Sequence, residues 1–514
     1  MHHALLTAVF SLISLPVGSF FQEESVAPQA TDAAVDDQVV TRHTLNLAGE
    51  VVPYEARTGT MMLTREGEED VASIFFVAYE RVGEQSDGER PVTFVFNGGP
   101  GSSSVWLHLG AFGPKRVEMS EEGFATAPPY RLVDNEASIL DRTDLVFIDP
   151  PTTGYSRPAE GIEGGEVHGV EQDAQWVAEF IRLWVTRFER WDSPKFLAGE
   201  SYGTTRSAAL AQELQDKHGM YLNGILLISS ILNFQTARFD VGNDLPYVLF
   251  LPTYAATAWY HGRLSEELQA DFYGTLKQAE QFALGPYASA LLKGDRLEGG
   301  ERAAIVTELA RLTGLSEEYV EAADLRPVIH SFCKELCRDK HVTVGRLDSR
   351  FSGKDRLATG VRAEFDPSLA AINGPYTATL NRYVREELGY HSDLPYEILT
   401  GRVQPWDWGV ENSYLNVAER LRSAMTKNPA LKVYVANGYY DLATPYFATT
   451  YTFDHMQLDP ALKDNVRMGF FQAGHMMYIH QPSRVGLKEQ LDSFYDWALA
   501  APGTPVLIPG STER

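Results

Sequence analysis

Ser201 lies in the pentapeptide Gly-Glu-Ser-Tyr-Gly at residues 199–203, and the flanking sequence predicts a strand before it and a helix after it. The apolar run 196–198 leads into the pentapeptide, and the helix-like stretch 204–217 leaves it. In a strand–turn–helix unit of this kind the glycines let neighbouring chain pass close to a tight turn, and the turn presents the serine hydroxyl above the sheet edge. We therefore predict that Ser201 is a nucleophile.

A serine hydroxyl is a weak nucleophile at neutral pH and needs an adjacent histidine that a carboxylate orients. On a strand–turn–helix scaffold the chain order is serine, then the acid, then the histidine, each just past the end of a strand. Asp441 follows the predicted strand 432–436, and His475 follows the predicted strand 466–471. Asp441 could instead cap a helix before Pro445, and His475 could be an ordinary loop histidine. Their joint order favours a Ser201–His475–Asp441 triad.

The oxyanion of an acyl-transfer reaction needs two backbone N–H groups. Tyr202, directly after the nucleophile, would supply one of them. The glycine-rich loop 97–104 follows the apolar strand 91–96, and its first residues, 97–99, could supply the other. A phosphate-binding loop is the alternative, but the sequence lacks the Lys-Ser/Thr ending of a P-loop and the spacing of a dinucleotide fingerprint.

Glu200 is unexpected beside a nucleophile, because an ionised carboxylate there would repel the developing oxyanion. One interpretation turns its side chain outward to a structural hydrogen bond. The other keeps it protonated, so that it donates to the carboxylate of a substrate. Two carboxyl groups in contact share a proton, and the pKa of one of them rises. The residues alone leave both interpretations open.

The elements that would position these residues alternate between strand and helix. Buried strands at 91–96, 145–148 and 225–228 alternate with helices at 170–190 and 204–217, which predicts an α/β fold with a central, mostly parallel sheet. Antiparallel strands are predicted before it, between residues 44 and 81. From 233 to 378 amphipathic helices dominate, and we interpret this stretch as an inserted helical cap. The cap divides the predicted core into residues 43–232 and 379–514.

Composition and the first residues indicate an exported protein that does not bind nucleic acid. The 514 residues carry a formal net charge of -25, so no basic face is available for phosphates. Residues 1–19 resemble a signal peptide with cleavage after Ser19, and 20–42 are predicted to be a disordered linker. An uncleaved anchor is the alternative. We expect a periplasmic or extracellular protein that has no membrane association after cleavage.

The cysteines Cys333 and Cys337 are the only two in the sequence and could form a local disulfide after export. With His330 and His341 they share one face at helical spacing, which suggests a metal site. One straight helix would spread these four residues over about 16 Å, too far for a single tetrahedral site. We therefore predict neither a metal nor a cofactor.

Four ordered motifs together resemble the serine carboxypeptidases (peptidase family S10, the carboxypeptidase C/cathepsin A group). They are N-G-G-P-G-S-S at 97–103, G-E-S-Y-G at 199–203, Y-Y-D-x-x-x-P at 439–445 and A-G-H-M-x-x-x-x-Q-P at 473–482. The segments G-A-F-G-P and Y-D-L-A-T-P are most similar to those of bacterial members. The resemblance implies an α/β-hydrolase fold with a helical lid, and removal of C-terminal residues from peptides or proteins without a metal.

The resemblance also implies roles for individual residues. Ser201, Asp441 and His475 would form the triad, and the N–H groups of Gly99 and Tyr202 the oxyanion hole. The substrate's terminal carboxylate would be held by Asn97, the backbone of Gly98 and the side chain of Glu200.

Several positions depart from the family pattern. Ala111 stands where well-known members carry a second acidic residue, paired with the one beside the nucleophile. Met477-Tyr478 replaces the usual V-P, and His480 the usual Asp. Our leading hypothesis is a secreted serine carboxypeptidase that acts through an acyl-enzyme. An esterase or acyltransferase on the same scaffold is the alternative, because Ala111 loosens peptide selection, and an inactive binding protein is the alternative outside the enzymes.

Overall fold

The computed structural model describes residues 37–65, 69–83 and 90–500. The predicted signal peptide and residues 20–36 of the predicted linker lie outside this part of the chain. The first strand begins at Gln38 and pairs along its whole length with the second, so the prediction that the linker extends to residue 42 is wrong. Val39, Val40 and Thr41 are β-branched residues that favour a strand.

The strands of the described residues are β1 (Gln38–Leu47), β2 (Glu50–Thr64), β3 (Asp70–Arg81), β4 (Val92–Phe96), β5 (Lys115–Val117), β6 (Leu132–Asp134), β7 (Asp144–Ile148), β8 (Arg157–Pro158), β9 (Lys195–Glu200), β10 (Gly224–Ile228), β11 (Thr343–Val344), β12 (Ser352–Gly353), β13 (Lys432–Gly438) and β14 (Val466–Phe471). A turn at residues 48–49 separates β1 from β2, near the start of the region predicted to form antiparallel strands.

The α-helices of the same residues are α1 (Val105–Leu107), α2 (Val170–Arg187), α3 (Tyr202–His218), α4 (Leu245–Tyr260), α5 (Glu266–Gln269), α6 (Phe272–Phe282), α7 (Ala288–Lys293), α8 (Gly299–Thr313), α9 (Glu317–Ala322), α10 (Ile329–Glu335), α11 (Pro367–Glu386), α12 (Ala418–Lys427), α13 (Tyr446–Asp454), α14 (Pro460–Lys463) and α15 (Gln481–Leu499). A π-helical turn, His108–Phe112, continues α1, and a 3₁₀ turn, Met477–Ile479, precedes α15.

The main sheet has the strand order β1-β2-β3-β7-β4-β9-β10-β13-β14, with β8 paired to β3. The six strands from β7 to β14 in this order run parallel to one another, and β1, β2 and β3 are antiparallel. The predicted α/β fold with a mostly parallel sheet is therefore confirmed. Because parallel strands end at one edge, the loops after β4, β9, β13 and β14 meet there.

Both faces of this sheet are covered. Successive residues of β10 point to opposite sides: Ile225 and Leu227 pack in one apolar cluster with α2 and α3, and Leu226 and Ile228 in another with α11 and α15. Each of these four side chains is fully buried. A strand buried on both faces reads as a continuous apolar run, which is why β10 was identifiable from the sequence.

A third apolar cluster belongs to the helices between residues 245 and 335. The helices α5 and α6 are separate, because the Asp271 side chain caps the start of α6 by accepting from the Gly274 N–H group. The predicted end of the cap, between residues 378 and 379, falls inside the continuous helix α11, so that boundary is wrong. Among residues 37–65, 69–83 and 90–500 we find no helix long and apolar enough to cross a membrane.

Candidate active site

Ser201 occupies the turn between β9 and α3 with φ 59° and ψ -127°. A positive φ is uncommon for a residue with a side chain and stores backbone strain. The turn is held on the neighbouring strand by a hydrogen bond of 3.0 Å from the Ser201 N–H to the Ile228 carbonyl. Gly199 is required, because a Cβ there would collide with the carbonyl of Gly203 on the helix. These features are those of the predicted nucleophile turn.

Asp441 and His475 are joined by a hydrogen bond of 2.7 Å between Oδ2 and the ring nitrogen Nδ1. The other carboxylate oxygen, Oδ1, accepts from the N–H groups of Ala443 at 2.8 Å and Thr444 at 3.0 Å. The Thr444 hydroxyl donates to Oδ2 at 2.6 Å. Because a carboxylate only accepts, Nδ1 is the donor, and Nε2 is the ring nitrogen left for proton transfer.

The electrostatic environment of His475 favours its charged form. Burial lowers the pKa of the imidazole, but the charge and hydrogen bond of Asp441, with the charge of Glu200, outweigh burial and raise the pKa above its ordinary value. Asp441 is fully buried. A carboxylate in this position stabilises the imidazolium that forms when a nucleophile gives up its proton.

A cavity of about 450 Å³ at the carboxyl edge of the sheet brings the predicted site residues together. Ser201 and His475 line it, as do the other predicted contacts Asn97, Gly98, Gly99, Glu200 and Tyr202. Asp441 lies behind His475, away from the lining. The loop after β4 packs against the start of α3 so closely that a Cβ at Gly98 would collide with the Tyr202 nitrogen. Both backbone segments predicted for the oxyanion hole therefore face the same space, and the α3 N-terminus favours negative charge there.

Glu200 is not turned away from the site. Its side chain is buried and lines the cavity, and the Tyr478 hydroxyl donates to Oε2 at 2.5 Å. Burial raises the pKa of the Glu200 carboxyl to about 7, although the charge of His475 and the Tyr478 hydrogen bond act in the opposite direction. Glu200 is therefore partly protonated near neutral pH, and it can act as a donor.

Asn97 presents a buried amide to the same cavity. Its Oδ1 accepts from the Leu107 N–H at 3.0 Å, which orients the side chain. Its Nδ2 has no hydrogen-bond partner by geometry within the described residues, although it lies close enough to Glu200 to lower the pKa of that carboxyl. A buried donor without a full set of partners is costly unless a ligand accepts from it.

The sequence marked Tyr478 as a departure from the family pattern but assigned it no contact with Glu200. Its ring covers Gly110, where a Cβ would come within 2.5 Å of it, and the adjacent Ala111 is buried in the π-helical turn. The phenol thus contacts Glu200 in a region where the family pattern places a second acid. The two departures at 111 and 478, one the loss of an acid and the other the gain of a hydroxyl donor, were the available signal.

Residues 346–350, which we call the clamp segment, connect the two loops that carry Asp441 and His475. The Arg346 carbonyl accepts from Leu442, and the Ser349 N–H donates to Tyr440, each at 3.0 Å. On the other loop, the His475 N–H donates to the Leu347 carbonyl at 2.7 Å, and the Gly474 N–H to Asp348 Oδ2 at 3.1 Å. The sequence assigned this segment to the cap and gave no sign of this role.

Asp348 is held by Arg350 through a buried ion pair of 2.7 Å. We expect Asp348→Asn to lower kcat about tenfold or more with little change in KM, because the weaker acceptor loosens the loop that positions His475. Asp355→Asn is the matched control, because Asp355 also forms a buried pair, with Lys334, but does not contact either triad loop. Kinetics and thermal unfolding of both variants check the prediction. Equal loss of activity in the two variants at equal loss of stability would contradict it.

Known proteins with similar sequences are serine carboxypeptidases and serine carboxypeptidase-like proteins. The family model for serine carboxypeptidases, peptidase S10, matches residues 49–472. Serine carboxypeptidase-like 33 of Arabidopsis thaliana is 30% identical over 183 residues, 35% of this chain and 34% of that protein. Serine carboxypeptidase-like 36 of the same plant is 25% identical over 368 residues, 70% and 63% of the two chains. The pheromone-processing carboxypeptidase KEX1 of Cryptococcus gattii is 32% identical over 162 residues, 31% and 22%.

These matches span between about a fifth and two thirds of the relatives' own lengths. Among solved structures, a prohormone-processing carboxypeptidase from Saccharomyces cerevisiae, Kex1(Δ)p, superposes with a TM-score of 0.55 at 16% identity, over 85% of this chain and 90% of that one. The likeness supports the fold. The relatives named here are plant and fungal proteins, so similarity to the bacterial branch stays a prediction.

Proposed function

The chain belongs to the peptidase S10 family of serine carboxypeptidases, and we propose that it hydrolyses the last peptide bond of peptides or proteins. The observation that carries the proposal is the cavity in which Ser201 and His475 share a wall with Asn97 and Glu200. Catalytic groups for acyl transfer and buried groups that suit a terminal carboxylate therefore lie in one space. A peptide that enters with its free C-terminus would place its last carbonyl between the two sets.

In the proposed reaction the Ser201 hydroxyl attacks that carbonyl while His475 Nε2 takes the proton. The C–N bond then breaks, His475 gives the proton to the leaving amine, and the acyl group remains on Ser201. Water, activated by the same histidine, releases the shortened peptide. Asp441 holds the imidazole through Nδ1 and stabilises its charged form in both steps.

The oxyanion would be bound by the backbone N–H groups of Gly99 and Tyr202. Gly99 has φ 104°, a conformation that glycine adopts without strain, and Tyr202 is the first residue of α3. Fixed donors of this kind stabilise the transition state because they need no reorganisation when charge develops.

The terminal carboxylate would be held by the Asn97 amide, the Gly98 N–H and the protonated Glu200 carboxyl. The Tyr478 hydroxyl occupies Glu200 Oε2, which leaves Oε1 as the oxygen that shares a proton with the substrate. A substrate carboxylate against Glu200 would raise the Glu200 pKa further. A phenol beside Glu200, in place of a second acid, supports carboxylate binding up to about neutral pH.

The second candidate is an esterase or acyltransferase, and the observation that favours it is Ala111. No carboxyl group other than Glu200 lines the described cavity, so fewer groups discriminate a peptide acid from an ester. The acyl-enzyme could then pass to an alcohol instead of water. We also propose export of the chain, on the sequence pattern of residues 1–19.

Covalent labelling distinguishes an enzyme from an inactive binding protein of the same fold. We expect a fluorophosphonate to modify the native protein once, at Ser201, because His475 activates that hydroxyl alone. Intact mass gives the stoichiometry, and peptide mapping gives the position. Protein unfolded before exposure is the control and should stay unlabelled. Native protein that stays unlabelled would contradict the proposed hydrolytic function.

A further inference from the structure

The cavity beside Ser201 carries positive charge in a strongly acidic protein. Its described lining contains two guanidinium groups, Arg238 and Arg346, against the single carboxyl group of Glu200. The whole chain has a formal net charge of -25. A cationic cavity in an acidic protein is the reverse of what the average composition would produce, and it favours an anionic ligand.

Arg346 is the more informative of the two. Its side chain is half-buried, and within the described residues its guanidinium has neither an acidic partner nor a hydrogen-bond acceptor. The nearby carboxylate of Asp366 accepts instead from the backbone N–H of Arg346 and caps α11 through Ser368. Arg350, four residues later, shows the contrasting case, since Asp348 neutralises it.

The backbone of Arg346 is fixed relative to the catalytic residues. Its carbonyl accepts from Leu442, next to Asp441, and the following residue, Leu347, binds the N–H of His475. The guanidinium is close enough to His475 to oppose its protonation. A half-buried guanidinium that lines the cavity and has no acidic partner within the described residues is stabilised by an anion, and substrate can supply one.

Arg238 adds to the same field at the mouth of the cavity. Its guanidinium is exposed and stacks on Phe234 at 5.5 Å and on Trp408 at 5.3 Å. Cation–π contacts hold such a side chain in place and leave its N–H groups free to donate.

We propose that Arg346 binds an acidic side chain of the substrate, so that the protein prefers peptides with Glu or Asp in one of the two residues that flank the scissile bond. This inference rests on the proposed carboxypeptidase function and names the substrate class for it. The recognition is a charge-assisted hydrogen bond between the guanidinium and a side-chain carboxylate, separate from the site at Asn97 and Glu200 that would hold the terminal carboxylate.

The test compares two pairs of N-blocked dipeptides with free C-termini: Glu-Ala against Gln-Ala, and Ala-Glu against Ala-Gln. Glu and Gln have nearly the same shape, so the ratio of kcat/KM within a pair reports charge recognition alone. We expect the wild type to favour Glu at least about tenfold in one pair, which identifies the position. In Arg346→Met that ratio should fall to about one, and in Arg346→Glu it should fall below one.

Arg422→Met is the matched control, because it removes the same charge from an arginine of similar burial that lies outside the cavity. Its ratio should equal that of the wild type. A wild-type ratio near one in both pairs would overturn the inference and leave the proposed function standing, because the peptides are still cleaved. A preference for Glu that survives in Arg346→Met would also overturn the inference. If Arg346→Met does not fold, the wild-type ratios still test the inference together with Arg346→Lys, which should keep the preference for Glu. Absence of turnover of all the dipeptides would remove the proposed function and the inference with it.

Discussion

Replacing Ser201 by alanine is expected to lower kcat for a blocked dipeptide by roughly 10⁶-fold and to leave the fold intact. The hydroxyl is the proposed nucleophile, so without it no acyl-enzyme forms. What remains is catalysis by the oxyanion donors and by binding alone. Alanine carries a Cβ as serine does, so the turn with φ 59° should strain the backbone of the variant no more than that of the wild type. Single-turnover kinetics with excess protein would measure the residual rate.

The control for this variant is Ser207→Ala. Ser207 lies further along α3, and its hydroxyl donates to the Gly203 carbonyl at 2.9 Å, outside the cavity lining. We expect its kcat to stay within about threefold of the wild type, because a single buried side-chain hydrogen bond contributes only about 1 kcal/mol. A Ser201→Ala protein that keeps more than about a hundredth of wild-type turnover would contradict the nucleophile assignment.

Replacing Asp441 by asparagine is expected to lower kcat about 10⁴-fold. The amide oxygen can still accept from Ala443 and Thr444, so the loop keeps its shape. The NH₂ group, however, cannot accept from His475 Nδ1, so the imidazole loses both its preferred tautomer and the charge that stabilises its protonated form. Because the charge and hydrogen bond of Asp441 raise the pKa of His475 against the effect of burial, the pKa of His475 should be lower in the variant.

The pH dependence of kcat/KM tests the expected fall in the pKa of His475. Turnover requires neutral His475, so the acid limb of kcat/KM reports its pKa, and that limb should move to lower pH in Asp441→Asn. Thr444→Val is the control, because it removes the hydroxyl that donates to Asp441 Oδ2 and keeps the carboxylate. We expect it to lose about tenfold in kcat. An Asp441→Asn variant with an unshifted acid limb and a loss no larger than that of Thr444→Val would contradict the proposed role of Asp441.

The parallel sheet and the position of the site were predictable because they follow from local patterns. The strands β4, β9 and β13 are largely apolar, Asn97 and Ser201 follow β4 and β9 directly, and Asp441 and His475 lie in the short loops that follow β13 and β14. Parallel strands end together, so order along the chain was enough to bring Ser201, Asp441 and His475 to one edge.

The end of the cap was not predictable in this way. The predicted boundary marked the end of the stretch in which amphipathic helices dominate, and Gly374 and Pro375, just before it, are residues that ordinarily interrupt a helix. In the structure α11 runs through both of them, because Ile372, Tyr376 and Leu380 of the same helix pack in the apolar cluster that covers one face of the sheet, and this tertiary packing overrides local propensity.

Contacts between distant residues were also out of reach. Tyr478 donates to Glu200 across 278 residues, and the clamp segment binds Gly474 across more than a hundred. Neither contact has a periodic signature, because both depend on how irregular loops pack rather than on strand or helix spacing. For the same reason the pairing of Asp348 with Arg350 could not show that these residues support His475.

The cysteines show a further difference. Cys333 and Cys337 are both free and buried, so the local disulfide considered from the sequence does not form in this structure. The helix that carries Cys333 ends at Glu335, two residues before Cys337. The premise of one straight helix through His330, Cys333, Cys337 and His341 was therefore wrong, although burial raises the pKa of both thiols and makes them weak metal ligands.

The most direct test of the account is hydrolysis of an N-blocked dipeptide with a free C-terminus, compared with its C-terminal amide, from acidic to mildly alkaline pH. The same triad would cleave both substrates, so the ratio of their kcat/KM values isolates recognition of the terminal carboxylate. Glu200 must be protonated to donate to that carboxylate, and its pKa is about 7. We predict strong preference for the free acid below that pH and a steady loss of preference above it. Equal cleavage of acid and amide at every pH, or cleavage of esters only, would contradict the account.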